Sequence, residues 1–145
     1  MLIRAIFFDI YGTILCEDDP ENAMPPRPGF VYLVRFCRSK GIALYSASDN
    51  DLELLVLDLN QTLKRVGLSS EVFDGFFKFT RGKKKDFAAH CKSLGILPRQ
   101  AMVIGNNREI DLELAEIAGL GTCLVPTYIF SSNDTFDFTQ IICCL

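Results

Sequence analysis

Tryptophan is absent from this 145-residue chain, and histidine occurs once, as His90. The six cysteines (Cys16, Cys37, Cys91, Cys123, Cys143 and Cys144) include no Cys-x-x-Cys pair. Zinc sites are built from closely spaced Cys and His ligands, so the sequence offers no zinc site. Several of the cysteines lie in apolar stretches, where a free thiol behaves as a small hydrophobe. That usage predicts a reducing, cytoplasmic setting. No apolar run is long enough to cross a membrane. The first residues pass straight into a strand-like segment, which argues against a secretory leader. Clustered positive charge is also missing. The formal net charge is −3 with a pI near 5.1, and the one basic run, Arg81 to Lys85, is too short for a nucleic-acid footprint. Repeats, low-complexity segments and long linkers are lacking too. These absences predict one domain over residues 1–145, with no nucleic-acid and no membrane partner.

What remains is strongly apolar. Hydrophobic residues make up 49% of the chain, 12 of them phenylalanines. That is enough for a real core. The mean hydropathy of +0.22 is high for a small soluble monomer and predicts a homo-oligomer contact that absorbs the excess.

Apolar strand-like runs alternate with amphipathic segments along the chain. Strands are expected at 3–9, 42–46, within 72–79, at 101–105 and at 122–125. Helices are expected at 30–40, 51–66, 84–94 and 111–118, most of them stopped by a glycine. Residues 15–27 read as a polar, proline-containing loop. Residues 126–145 give no clear reading beyond a polar loop at 131–134. Such alternation predicts an α/β three-layer sandwich with a central parallel, Rossmann-like sheet covered by helices on both faces.

In an open parallel sheet, ligands bind outside the carboxyl ends of the strands. The residues expected there are Asp9 and Tyr11 after the first strand, Ser46 after the second, and Asn106, Asn107 and Asp111 after the fourth, with Lys83 ahead of a helix. A carboxylate nucleophile, a hydroxyl, a lysine and a second acidic loop are what phosphoryl transfer needs: an attacking oxygen, a donor and a cation for the phosphoryl oxygens, and carboxylates for Mg²⁺. Each has a plainer reading: Asp9 as a turn residue, Ser46 as a cap, Lys83 as a solvated charge, Asp111 as a carboxylate favoured by a helix N-terminus.

Their order along the chain resembles the haloacid dehalogenase superfamily. Residues 7–14 (Phe-Phe-Asp-Ile-Tyr-Gly-Thr-Ile) match its first motif, Leu44-Tyr45-Ser46 its second and Lys83 its third. Val103-Ile104-Gly105-Asn106 with Asp111 matches its fourth. Arg27-Pro28-Gly29 resembles the segment that opens the helix before the second motif. The resemblance implies a Mg²⁺-dependent phosphatase acting on a phosphorylated substrate through an aspartyl-phosphate on Asp9. Ser46 would hold phosphoryl oxygens, and Lys83 would balance the charge, with Lys84 or Lys85 taking that place if the register differs. Mg²⁺ would rest on Asp9, the Tyr11 carbonyl, Asn106 and Asp111.

Two positions depart from the pattern. Tyr11 replaces the aspartate that serves phosphatases of this superfamily as general acid and base, which predicts slow turnover, since losing such a group costs about 10²–10⁴-fold. Asn106 replaces a metal-binding aspartate and weakens the Mg²⁺ site. The Asp-x-Tyr-Gly-Thr form resembles the dehalogenase branch. The 46-to-83 interval is filled by core elements, and the segment between positions 11 and 46 leaves room for a flap but no cap domain. A capless member acts on large, macromolecular substrates or borrows a neighbouring subunit as its lid. Three functions stay open: a phosphatase, a non-catalytic binding or assembly protein on the same fold, and a dehalogenase.

Overall fold

The computed structural model describes residues 2–131 and 134–145. Five short strands form one parallel sheet: β1 (Ala5–Phe8), β2 (Ala43–Ser48), β3 (Gly75–Lys78), β4 (Ala101–Gly105) and β5 (Gly121–Leu124), in the spatial order β3-β2-β1-β4-β5. The chain winds outward from β1 to β3, then returns to the other side of β1 for β4 and β5. The reversal lies between β1 and β4, and a crevice opens at such a point, at the carboxyl ends of the strands.

Both faces of the sheet are covered. On one face, α1 (Phe30–Lys40) and α2 (Leu52–Leu63) bury Leu33, Val34, Cys37, Leu55, Leu59 and Leu63 against Ile6, Phe8 and Ile104. On the other, α3 (Ala88–Leu94) and α4 (Glu113–Ala118) bury Cys91 and Ala115, which pack with Phe87 and Leu112 against Phe7, Ala47 and Val103. β1 is buried along its whole length, which is why it reads as an unbroken apolar run. The fold is the three-layer α/β sandwich expected, with a parallel Rossmann-like sheet.

The element edges shift in informative ways. Residues 84–87, expected to open a helix, precede α3 and run without helical turns; the Lys85 N–H donates to the Ile110 carbonyl at 2.8 Å instead. The helix expected at 111–118 begins earlier, as a π-helical turn, Arg108–Leu112, that passes into α4. π-turns cluster at functional sites. The tail forms a 3₁₀ helix, Phe138–Cys144, whose Phe138 packs against Phe8 and Phe30 under α1. Of the polar loop expected at 131–134, Ser132 and Asn133 lie outside the described residues. Among the described residues no helix is long and apolar enough to cross a membrane.

The turn after β1 rests on a buried arginine. The Arg27 guanidinium sits 4.9 Å from the Phe136 ring centre and 5.4 Å from that of Tyr128. It donates to the Thr13 carbonyl at 3.3 Å and pairs with Asp134 at 3.5 Å. Cation–π and carbonyl contacts together satisfy a charge that is otherwise costly to bury.

Candidate active site

Asp9 follows β1 and sits at the reversal point. One carboxylate oxygen, Oδ1, takes the Lys85 ammonium at 3.1 Å, and the other, Oδ2, accepts from the Thr13 hydroxyl at 3.1 Å. Lys85 is almost fully buried. It reaches Asp111 Oδ1 at 2.6 Å and donates to the Ala47 carbonyl at 2.7 Å. One cation therefore bridges two carboxylates and is anchored to β2 by a main-chain oxygen. Asp111 is in turn fixed on its second oxygen, Oδ2, by the Asn107 N–H at 3.1 Å. Its approach requires a bare backbone. A Cβ on Gly105 would fall 2.5 Å from Asp111 Oδ2.

Burial is the largest influence on Asp9. It raises the pKa to about 6, against the lowering pull of Lys85 and with a further push from Asp111. Burial opposes the charge on Lys85, but its two carboxylate partners outweigh that and lift its pKa above the usual lysine value.

The expected lysine, Lys83, is exposed, two residues from the one that meets Asp9. The physical reason is the non-helical path of residues 84–87, pinned to the π-turn through the Lys85 N–H. Lys84 turns outward to Glu113 at 2.7 Å. Asp111, expected among the metal ligands, has both carboxylate oxygens engaged, one by Lys85 and the other by the Asn107 N–H.

A cavity of about 260 Å³ opens beside this cluster, lined among others by Asp9, Tyr11, Lys85, Asn106 and Asp111, together with Glu17 and Asp49. Ser46 and Lys83 are not among its walls. The sheet register sets Ser46 opposite Phe8, one residue short of Asp9. The Ser46 hydroxyl is fully buried and has no hydrogen-bond partner among the described residues. Tyr11 lines the cavity, but its phenol donates a short hydrogen bond to Asp58 on α2. Burial, then that contact, pushes its pKa far above the ordinary phenol range. Asn106 donates through Nδ2 to Thr127 at 3.1 Å. Gly12, at φ 80°, passes so close that a Cβ there would meet Asn106 Nδ2 at 2.5 Å. Only glycine accepts both constraints without strain.

The oxygen donors beside Asp9 fit a weak magnesium site. Mg²⁺ takes hard oxygen ligands and keeps several waters. Asp9, the Tyr11 carbonyl and the Asn106 amide oxygen are such donors, but they carry a single negative charge between them. Among the described residues no group of three or more His, Cys, Asp or Glu side chains could hold a metal ion.

Two groups escaped the sequence reading. Thr13 stands in the sequence only as one residue of the first motif. Asp58 lies on α2, where the leucine stripe dominates the pattern; its signal was the polar stripe Asp58, Gln61 and Arg65 on another face of the same helix.

No family model matches the chain. It is 31% identical over 116 residues to an enolase-phosphatase E1 of Shewanella denitrificans, an alignment that covers 78% of this chain and 48% of that protein. The chain thus spans about half the length of this relative. Among solved structures, a HAD-superfamily hydrolase from Ehrlichia chaffeensis superposes with a TM-score of 0.68 at 16% identity, covering 99% of this chain and 98% of the other. A β-phosphoglucomutase from Clostridium difficile gives a TM-score of 0.64 at 14% identity, with 97% and 96% covered. The fold is therefore that of the haloacid dehalogenase-like hydrolases.

Proposed function

We propose that this chain is a phosphatase in which Asp9 attacks phosphorus and becomes a covalent aspartyl-phosphate. The observation that carries the reading is the Asp9–Lys85–Asp111 cluster: a carboxylate at the sheet's reversal point, held against a buried cation. Lys85 keeps Asp9 oriented and offsets charge that gathers on the phosphoryl oxygens, while Asp111 and the Ala47 carbonyl keep Lys85 in place. Preorganised charge of this kind is usually the largest single contribution to such a reaction. Thr13 fixes the second Asp9 oxygen. Asp9, the Tyr11 carbonyl and Asn106 hold Mg²⁺, which supplies positive charge to the phosphoryl oxygens when bound. Residues 1–145 act as one unit, with the cavity beside Asp9 open to a phosphorylated substrate.

The experiment is phosphate release with and without Mg²⁺, in the native chain and in Asp9→Asn. Mg²⁺-dependent release that disappears in the variant is expected, together with a phosphorylated peptide containing Asp9 after rapid acid quench. Equal release in both chains overturns the reading. The neutral Asn106 at a metal-binding position favours a second reading, a binding protein on the same fold. Silence toward every phosphate, combined with tight retention of one of them, would support it.

A further inference from the structure

The residue two places beyond Asp9 is where a general acid for the leaving group would stand, and Tyr11 occupies it. Its side chain is not idle. Among the described residues the phenol has one hydrogen-bond partner, Asp58 Oδ2. The other oxygen of that carboxylate accepts from Asn22 Nδ2 at 2.8 Å. Asn22 is buried, and its positive φ of 52° stands alone among the described non-glycine residues. Side chains of α2 and of the 3₁₀ turn that follows it secure the loop around it. Gln61 donates to the Glu21 carbonyl at 3.1 Å, and Arg65 donates to the Asn22 carbonyl at 3.0 Å. Asp58 is therefore held through both oxygens, one by Tyr11 and the other by the secured Asn22. A phenol whose proton is committed to a fixed carboxylate has none to give elsewhere.

We propose that Asp58 is a positioning residue that turns the Tyr11 proton away from the reaction, so that the site serves phosphates whose leaving group departs as a stable anion, acyl phosphates above all. This rests on the phosphatase reading and narrows its substrate class. The bonds balance without a donor. An Asp9 oxygen bonds to phosphorus as the bond from phosphorus to the acyl oxygen breaks, and the carboxylate leaves with that electron pair. Water then attacks phosphorus, the Asp9–phosphorus linkage breaks, and both protons of the water leave with the phosphate. The sum is acyl phosphate plus water giving carboxylate and dihydrogen phosphate. An alkyl phosphate would have to expel an alkoxide, which needs the missing proton.

The test measures kcat/KM with Mg²⁺ for acetyl phosphate, 4-nitrophenyl phosphate and glucose 6-phosphate. The native chain should favour acetyl phosphate over the sugar phosphate by about 10²–10⁴-fold, the typical worth of a general acid. Tyr11→Asp should shrink that ratio at least tenfold. Asp58→Asn frees the phenol and should narrow the same ratio, a change absent when Tyr11→Phe is added. Three results overturn the proposal: comparable native turnover of both phosphates, a ratio that widens in Tyr11→Phe or Glu17→Gln, or a ratio that Asp58→Asn leaves unmoved. Release from no phosphate at all, unaltered by Asp9→Asn, overturns the phosphatase reading itself.

Discussion

The two flanks of Asp9 are built on different terms. Toward β4, the charged groups are satisfied: Lys85 meets Asp9, Asp111 and a main-chain carbonyl, and Asp111 also accepts an N–H. Toward β2 and α2, the groups are either committed elsewhere or left without partners. The Tyr11 phenol is given to Asp58, and the Ser46 hydroxyl is buried with nothing to bond. The first flank is an electrostatic clamp that the folded chain completes by itself. The second has a buried polar atom that the fold leaves unpaired. Substitutions on the two sides should therefore act on stability with opposite sign.

Breaking the clamp should have the largest effect. Lys85→Met leaves Asp9 and Asp111 facing each other with no cation between them. Removing one partner of a buried ion pair costs about 3–5 kcal/mol. Urea denaturation should show a loss of that size, and phosphate release should vanish. A loss under about 1 kcal/mol would mean the clamp is more hydrated than its geometry indicates.

Asp9 itself sharpens the contrast through pH. Its folded pKa, near 6, lies above the unfolded value near 4. The folded state therefore binds the proton more tightly, so the group's stabilising contribution is complete below about pH 4 and is lost as pH rises through about 6. Asp9→Asn should melt higher than the native chain at pH 7, by roughly 2–3 kcal/mol at most, and the gain should fade toward pH 4. Turnover runs the opposite way, because attack requires the ionised carboxylate. The acid limb of kcat/KM should fall below about pH 6. A variant no more stable at pH 7 than the native chain would count against the raised pKa.

Much of this site could be read from residue order. The strand ends of an alternating α/β chain converge, so Asp9, Asn106 and Asp111 were expected in one place, and the cavity lined by all three is where they lie. The lysine was harder. Lys83, Lys84 and Lys85 are chemically identical in sequence, and the choice among them depends on residues 84–87 staying out of the helix that opens at Ala88, a path set by a main-chain bond to the π-turn. Nothing in a run of three lysines encodes that. Asp58 was obscured for a different reason. Its helix was read for the stripe that packs inward, while its function depends on a neighbouring face and on Asn22, 36 residues earlier in the chain. Contacts between a loop and a helix face carry no periodic signal. The tail was unreadable because its anchor is one aromatic side chain, Phe138, seated among Phe8 and Phe30.

The smallest stability change should come from the unsatisfied flank. Ser46→Ala removes a buried hydroxyl that has no partner in the free protein. A buried polar group without a hydrogen bond is destabilising by about 1–3 kcal/mol, whereas exchanging it for an apolar group of similar shape is close to neutral or stabilising. Ser46→Ala should therefore leave the unfolding free energy unchanged or raise it by up to about 1 kcal/mol, and phosphate release should hold, because the buried hydroxyl stands outside the cavity beside Asp9. Loss of activity without loss of stability would separate this serine from the core residues that surround it. Retained activity would make Ser46 a packing residue and leave the clamp to act alone, since no other described side-chain polar atom is both buried and unpartnered.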